Sequence, residues 1–176
     1  MLIDFHTHCF PPKVAEKAIP HLAAICKQEP LTDGTYEDTL GKMKNWGVDR
    51  FLVLNIATAP RQQFNVNNFA ASMDKPPISR ALGSVHAAAP DALEELSRIK
   101  SLNLPGVKIH PDYQDVEMDD KNLLEVYSLC SEWDMICVFH AGFDPVSPDK
   151  TRVIPQKALQ IHRKFPKLKM VLAHMG

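Results

Sequence analysis

Leu2-Ile3-Asp4-Phe5-His6-Thr7-His8 is the stretch on which the reading of this chain turns. It is an apolar run of strand length that ends in two histidines. A dinucleotide-binding α/β protein carries Gly-x-Gly-x-x-Gly directly after its first strand, and no such motif follows here. Runs of the same kind span Arg50 to Ala57, Arg80 to His86, Gly106 to His110, Ile136 to His140 and Lys169 to His174. Segments with helical spacing of apolar residues lie between them: Val14 to Lys27, Tyr36 to Trp46, Gln62 to Met73, Asp91 to Ser101, Asn122 to Trp133 and Gln156 to Phe165. Apolar strands that alternate with helices predict a parallel α/β sheet, either open and doubly wound or closed into a barrel. Thr35-x-x-Asp38 marks a helix start and Gly47 its end, while Pro90-Asp91 and Pro155 open two later helices.

The 176 residues suffice for one domain with a full core, and no linker or low-complexity tract divides them, so residues 1–176 are read as a single domain. With 45% hydrophobic and 23% charged residues the composition is that of a globular protein. Twenty Lys and Arg stand against 21 Asp and Glu, a net charge of −1, whereas nucleic acid and anionic membranes reward a basic excess. No apolar run approaches the ~18 residues of a membrane span, and no signal peptide precedes the first strand. The cytoplasm is the default expectation. Cys9, Cys26, Cys130 and Cys137 form no Cys-x-x-Cys pair and are expected as free thiols, Cys9 as a packing residue.

Six of the eight histidines, His6, His8, His86, His110, His140 and His174, fall at or near a strand end; His21 and His162 lie in helical segments. Ligands bind at the carboxyl ends of the strands in parallel α/β folds, and a barrel brings those ends to one face. His6 and His8, two apart in an extended chain, point to one side about 6.6 Å apart along the strand, within reach of one divalent ion. A catalytic ion of this kind usually has three protein ligands and an open position. His140 is the candidate third, because it ends an apolar strand two residues before Gly142.

Lys108 and His110 share a face of their strand, opposite Val107 and Ile109. An ammonium on an apolar strand meets an anionic substrate, pairs with a carboxylate, is chemically modified, or reaches out to the rim. His174 suits a metal ligand or a general base, and the base is the favoured role, since a neutral imidazole takes up and returns protons near neutral pH. Asp4 lies deeper on the His6 face, as a support for a ligand or as a structural residue. Arg152 stands in the loop from Phe143 to Ile154, which should overhang the site.

His6-Thr7-His8, Gly106-Val107-Lys108-Ile109-His110-Pro111, His140-Ala141-Gly142 and Ala173-His174-Met175-Gly176, in this order and each at a strand end, resemble the amidohydrolase superfamily. The branch is the amidohydrolase 2 group, similar to aminocarboxymuconate semialdehyde decarboxylase and its relatives. The resemblance implies a TIM (β/α)8 barrel of the metal-dependent hydrolase type, of which about six βα units are present in this chain. It implies a divalent metal held by His6, His8 and His140, most commonly Zn2+ with Mn2+ or Fe2+ as alternatives, and His174 as the catalytic histidine. In dinuclear relatives a carboxylated lysine of the fourth strand bridges two metals, and Lys108 leaves a second metal open. The family aspartate at the end of the eighth strand has no counterpart in this chain, which implies a C-terminally incomplete barrel. A whole barrel typically takes ~250 residues.

The function expected first is a metal-dependent hydrolase, in which a metal-bound water attacks an amide, lactone or ester-like bond of a small molecule. The alternative is a metal-dependent, non-oxidative decarboxylase of a small conjugated or aromatic acid, with Lys108, His110 and Arg152 on the substrate side. The third reading is an inactive fragment that binds metal or a partner. The exposed edges of a six-stranded piece favour association, so a homo-oligomer is included among the expectations.

Overall fold

The computed structural model describes residues 1–175; Gly176, the last residue of the fourth motif, lies outside the described residues. Six parallel strands alternate with helices: β1 (Ile3–Thr7), α1 (Pro12–Cys26), α2 (Tyr36–Asn45), β2 (Arg50–Leu54), α3 (Gln63–Met73), β3 (Ser79–Leu82), α4 (Ala92–Ser101), β4 (Gly106–Ile109), α5 (Pro111–Gln114), α6 (Lys121–Glu132), β5 (Ile136–Phe139), α7 (Pro155–Lys164) and β6 (Lys169–Leu172). All six expected strands and all six expected helices are present. The strands are shorter than their apolar runs, because the last residues of each run leave the ladder at the carboxyl end and enter the loops. A 3-10 turn, Pro60–Gln62, precedes α3. The four-residue α5 was not expected; Pro111 starts it, and the His110 ring caps it by accepting the Tyr113 N–H at 3.4 Å.

Local chemistry fixes the helix ends. Thr35 Oγ1 accepts the Asp38 N–H at 3.2 Å, and α2 carries Glu37 and Asp38 in its first turn and Lys42 and Lys44 in its last, matching the helix dipole at both ends. Gly47 follows with φ +72° and turns the chain toward β2.

Strand order is β1-β2-β3 in one parallel sheet and β4-β5-β6 in another. A parallel bridge between Gly83 and Val107 joins them, with Gly83 N–H donating to the Gly106 carbonyl at 3.0 Å and Lys108 N–H to the Gly83 carbonyl at 2.8 Å. This is the α/β architecture of a partial TIM barrel, built from about six βα units. The two-residue period of the strands sorts the core into two layers. Phe51, Val53, Ala81, Val107, Ile109, Cys137 and Phe139 pack outward against the helices. Leu52, Leu54, Leu82 and Val138 form a separate inner cluster, flanked by Ile136 and Val171. Lys108 is in register with Val138, and Val138 with Val171, so its side chain belongs to the inner side.

All four cysteines are free thiols, and Cys9 is a buried core residue. Among the described residues no helix is long and apolar enough to cross a membrane.

Candidate active site

The site is assembled at the carboxyl ends of the strands. The register of β1 against β2 shifts between Asp4 and Thr7, a bulge that re-aims the residues at its centre. Asp4 Oδ1 accepts the His6 backbone N–H at 3.0 Å, so Asp4 holds the bulge through the main chain and not through the His6 ring. His6 Nε2 and His8 Nε2 come within 3.1 Å of each other.

On the second sheet, β4 and β5 continue their inward parity two residues onward. Lys108 is followed by His110, and Val138 by His140. The His110 ring stacks on Tyr113 with centroids 3.7 Å apart and on His140 at 3.9 Å. His110 Nε2 is 3.4 Å from Asp144 Oδ2, and both side chains are buried. This distance is long and poorly directed for a hydrogen bond, and Asp144 Oδ2 has no other partner. Asp144 Oδ1 accepts the Val146 N–H at 2.8 Å. His110, His140 and Asp144 offer three donor atoms that all lie within 4.8 Å of one another.

His174 reaches the group by a different route. The strand expected to run to His174 ends at Leu172, and a short turn follows in which His174 takes φ 58° and ψ 30°. Val171 points inward, so a continued strand would send residue 174 to the outer side. The left-handed turn reverses that and sets the His174 ring 4.7 Å from His6 and 4.7 Å from His140, centroid to centroid.

Lys108 is the floor of this group. It has no exposed surface, and among the described residues its Nζ has no hydrogen-bond partner. Burial lowers its pKa to about 8, which still leaves it a cation at pH 7. The histidines respond to burial first and to this ammonium next: His6 falls to about 3 and His140 to about 4. For His110, held at about 2, burial leads, followed by His140 and Lys108. His8 moves down for the same reasons although part of the residue meets solvent, and His174 moves down on the exposed rim. Every imidazole of the group is therefore neutral at pH 7. Asp144 is the carboxylate that acts on His140 and His174 from the other direction.

A neutral imidazole is the form that binds a metal ion. Two nitrogens each about 2.1 Å from one ion stand about 3.0–3.4 Å apart, which is the separation of His6 Nε2 from His8 Nε2. Among the described residues the buried Nε2 of His140 has no hydrogen-bond partner, which makes it a further donor for a cation. The residues present fit a divalent ion.

Arg152 stands apart from this group. Its guanidinium binds Asp115 and, at 2.7 Å, Glu117, while its backbone N–H donates to Asp112 Oδ1 at 3.0 Å. Lys157 bonds Glu117 and Asp119 alongside it. These contacts tie the loop after β5 to the segment after α5. His86 is also occupied elsewhere, with its Nδ1 accepting the Ala88 N–H at 3.2 Å. The sequence reading missed Asp144, Tyr113 and Gln114. Asp144 had a signal, a carboxylate four residues beyond His140 in a loop already assigned to the site. A concavity between α2 and β2 and another beside α6 contain no histidine.

The chain belongs to the amidohydrolase family, whose sequence pattern it matches over residues 3–176. That family is metal-dependent. No curated protein matches the sequence. Solved structures of similar fold include the IDCase of Metarhizium anisopliae in apo form, at 16% identity and a TM-score of 0.70 over 100% of this chain and 65% of that one. A second is 5-carboxyvanillate decarboxylase from Sphingomonas paucimobilis, at 19% identity and 0.65 over 99% and 67%. A third is a dihydroxybenzoic acid decarboxylase from Polaromonas sp. JS666 with bound manganese and the inhibitor 2-nitroresorcinol, at 14% identity and 0.65 over 99% and 65%. At these identities the likeness is one of fold, and the chain spans about two thirds of the length of each.

Proposed function

We propose that the site acts on a small organic acid and removes its carboxyl group as CO2, with a divalent metal bound by His6, His8 and His140. The observation that carries this reading is Lys108: a cation with no exposed surface and, among the described residues, no hydrogen-bond partner, ringed by neutral imidazoles. Such a charge is costly to bury alone and is best matched by an anion that arrives with the substrate. The names of the similar structures add support, since the Sphingomonas and Polaromonas enzymes are both decarboxylases of aromatic acids. Hydrolysis of a neutral amide or lactone uses the same histidines and leaves Lys108 unmatched.

In the proposed reaction the bond from the substrate carbon to its carboxyl group breaks, CO2 leaves uncharged, and the electron pair stays on carbon until a proton reaches it. Lys108 holds the acid in place, and the stacked ring of His110 packs beside it. His174, on the open rim, takes a proton from solvent and delivers it to that carbon. Zn2+ or Mn2+, when bound, supplies Lewis-acid polarisation of a substrate oxygen. Arg152 is assigned to loop anchoring in place of substrate binding, because Asp115 and Glu117 occupy its guanidinium.

The test is CO2 release from a panel of hydroxybenzoic and carboxyvanillic acids by protein loaded with Zn2+ or Mn2+, run beside lactone and amide hydrolysis. Release that falls steeply in Lys108→Met, through a raised KM, and disappears in His174→Ala is expected. Hydrolysis of a neutral substrate, with no CO2 from any acid, would return the function to the hydrolase reading.

A further inference from the structure

The site residues come from different sheets: His6 is in β1 and His8 follows it, while Lys108 is in β4, His110 follows β4 and His140 follows β5. Among the described residues Gly83 and Val107 make the one backbone bridge at the seam between β3 and β4. Beyond this bridge two uncharged side chains link the segments that follow the strands. Ser84 Oγ donates to the Lys108 carbonyl at 2.9 Å and accepts the Ala57 N–H at 3.1 Å. Gln114 Nε2 donates to the Ala57 carbonyl at 3.0 Å and to the Val85 carbonyl at 2.8 Å, while its Oε1 accepts the His110 N–H at 3.2 Å. Asn67 grips Ser84 from the helix side, accepting its N–H at 2.7 Å and donating to its carbonyl at 3.0 Å.

We infer that Ser84 and Gln114 are positioning residues that set the span of the site across the seam. Ala57 follows β2, Val85 follows β3 and His110 follows β4, so one glutamine fixes three strand ends relative to one another. Ser84 bonds the carbonyl of Lys108 itself, and Gln114 the backbone N–H of His110. Each bond acts on the main chain of a residue whose side chain lines the site. Both side chains are buried, so the backbone groups they satisfy have no water to replace them. If these rungs are lost, the ends of β2, β3 and β4 move apart, and the His6–His8 pair moves relative to His140. The consequence for metal binding rests on the reading under Proposed function, whereas the change in histidine geometry does not.

The test compares Gln114→Met, which keeps length and loses all three bonds, with Ser84→Ala, which keeps volume and loses two. Tyr36→Phe is the control, because it removes a buried bond to Ser79 Oγ at 2.7 Å on the other side of β3. In metal-free protein, the imidazole NMR signals of His6, His8, His110 and His140 should shift in both seam variants and stay in place in Tyr36→Phe. In protein titrated with Co2+, affinity should fall about tenfold or more in the seam variants, with an altered visible spectrum, and hold in the control. Unmoved imidazole signals in the seam variants, or equal movement in all three, overturn the inference. A wild-type protein that binds no Co2+ counts against the metal centre alone, and the imidazole signals then decide the seam. Should Gln114→Met fail to fold, Ser84→Ala carries the same test.

Discussion

At the scale of single residues the site is governed by burial. Lys108 has a pKa of about 8, so its affinity for an acid substrate is full below that pH and is lost as pH rises through it. We expect KM for the acid to climb about tenfold per pH unit above pH 8. In Lys108→Met that limb should be flat, and replacing an unpaired buried cation by a thioether of similar length should stabilise the fold by roughly 1–3 kcal/mol in urea unfolding. A variant that destabilises the protein and keeps the pH limb would contradict both halves. The histidines carry the opposite sign in acid. His6, His110 and His140 titrate at about 3, 2 and 4 in the fold, below the ordinary histidine value, so the unfolded chain binds protons first as pH drops below about 6.5. Their stabilising contribution is complete at neutral pH and is lost toward pH 4. The urea midpoint of metal-free protein should therefore fall between pH 7.5 and pH 5, and equal midpoints would remove the histidine cluster as its cause.

At the scale of elements, closeness between strands decides which residues are allowed. Gly106 opens β4, and a Cβ there would sit 2.0 Å from the Ile136 carbonyl oxygen, a backbone atom with nowhere to go. Gly106→Ala should cost about 3 kcal/mol or more, read as a drop in Tm, and should loosen the β4–β5 ladder on which Lys108 and His140 stand. An unchanged Tm would show that the two strands separate freely. The expected helices were legible because their ends follow from neighbours in sequence: Thr35 with Asp38, Pro90 with Asp91, Pro155. The strand ends were not. His6, His8 and His174 are placed by a bulge and by a left-handed turn, and neither device leaves a mark in a run of apolar residues.

Over the whole molecule, the proposed metal ligands come from both sheets, so neither sheet holds the ion by itself. His6→Ala and His140→Ala should each lose bound metal, as elemental analysis of purified protein would report, while His174→Ala should keep it and lose turnover. Full metal content in either of the first two would remove that residue from the ligand set. The loop after β5 brings Asp144 beside His110 and is held by ion pairs of Arg152 and Lys157 with Asp115, Glu117 and Asp119. Exposed pairs of this kind add little to global stability and mainly fix the path of the loop.

The sequence by itself determined the alternation of strands and helices, the parallel α/β class and the gathering of histidines at one end. Hydrophobic period, caps and prolines are local properties, and in a parallel fold the carboxyl ends of the strands meet on one face wherever each strand stops. What only the tertiary structure decided was the partnership of those residues. It set Asp144 beside His110, took Arg152 away to Asp115 and Glu117, left Lys108 without a partner, and gave Gln114 three strand ends to hold. These outcomes depend on distances between segments tens of residues apart, and side-chain chemistry carries no record of such distances until the chain has packed.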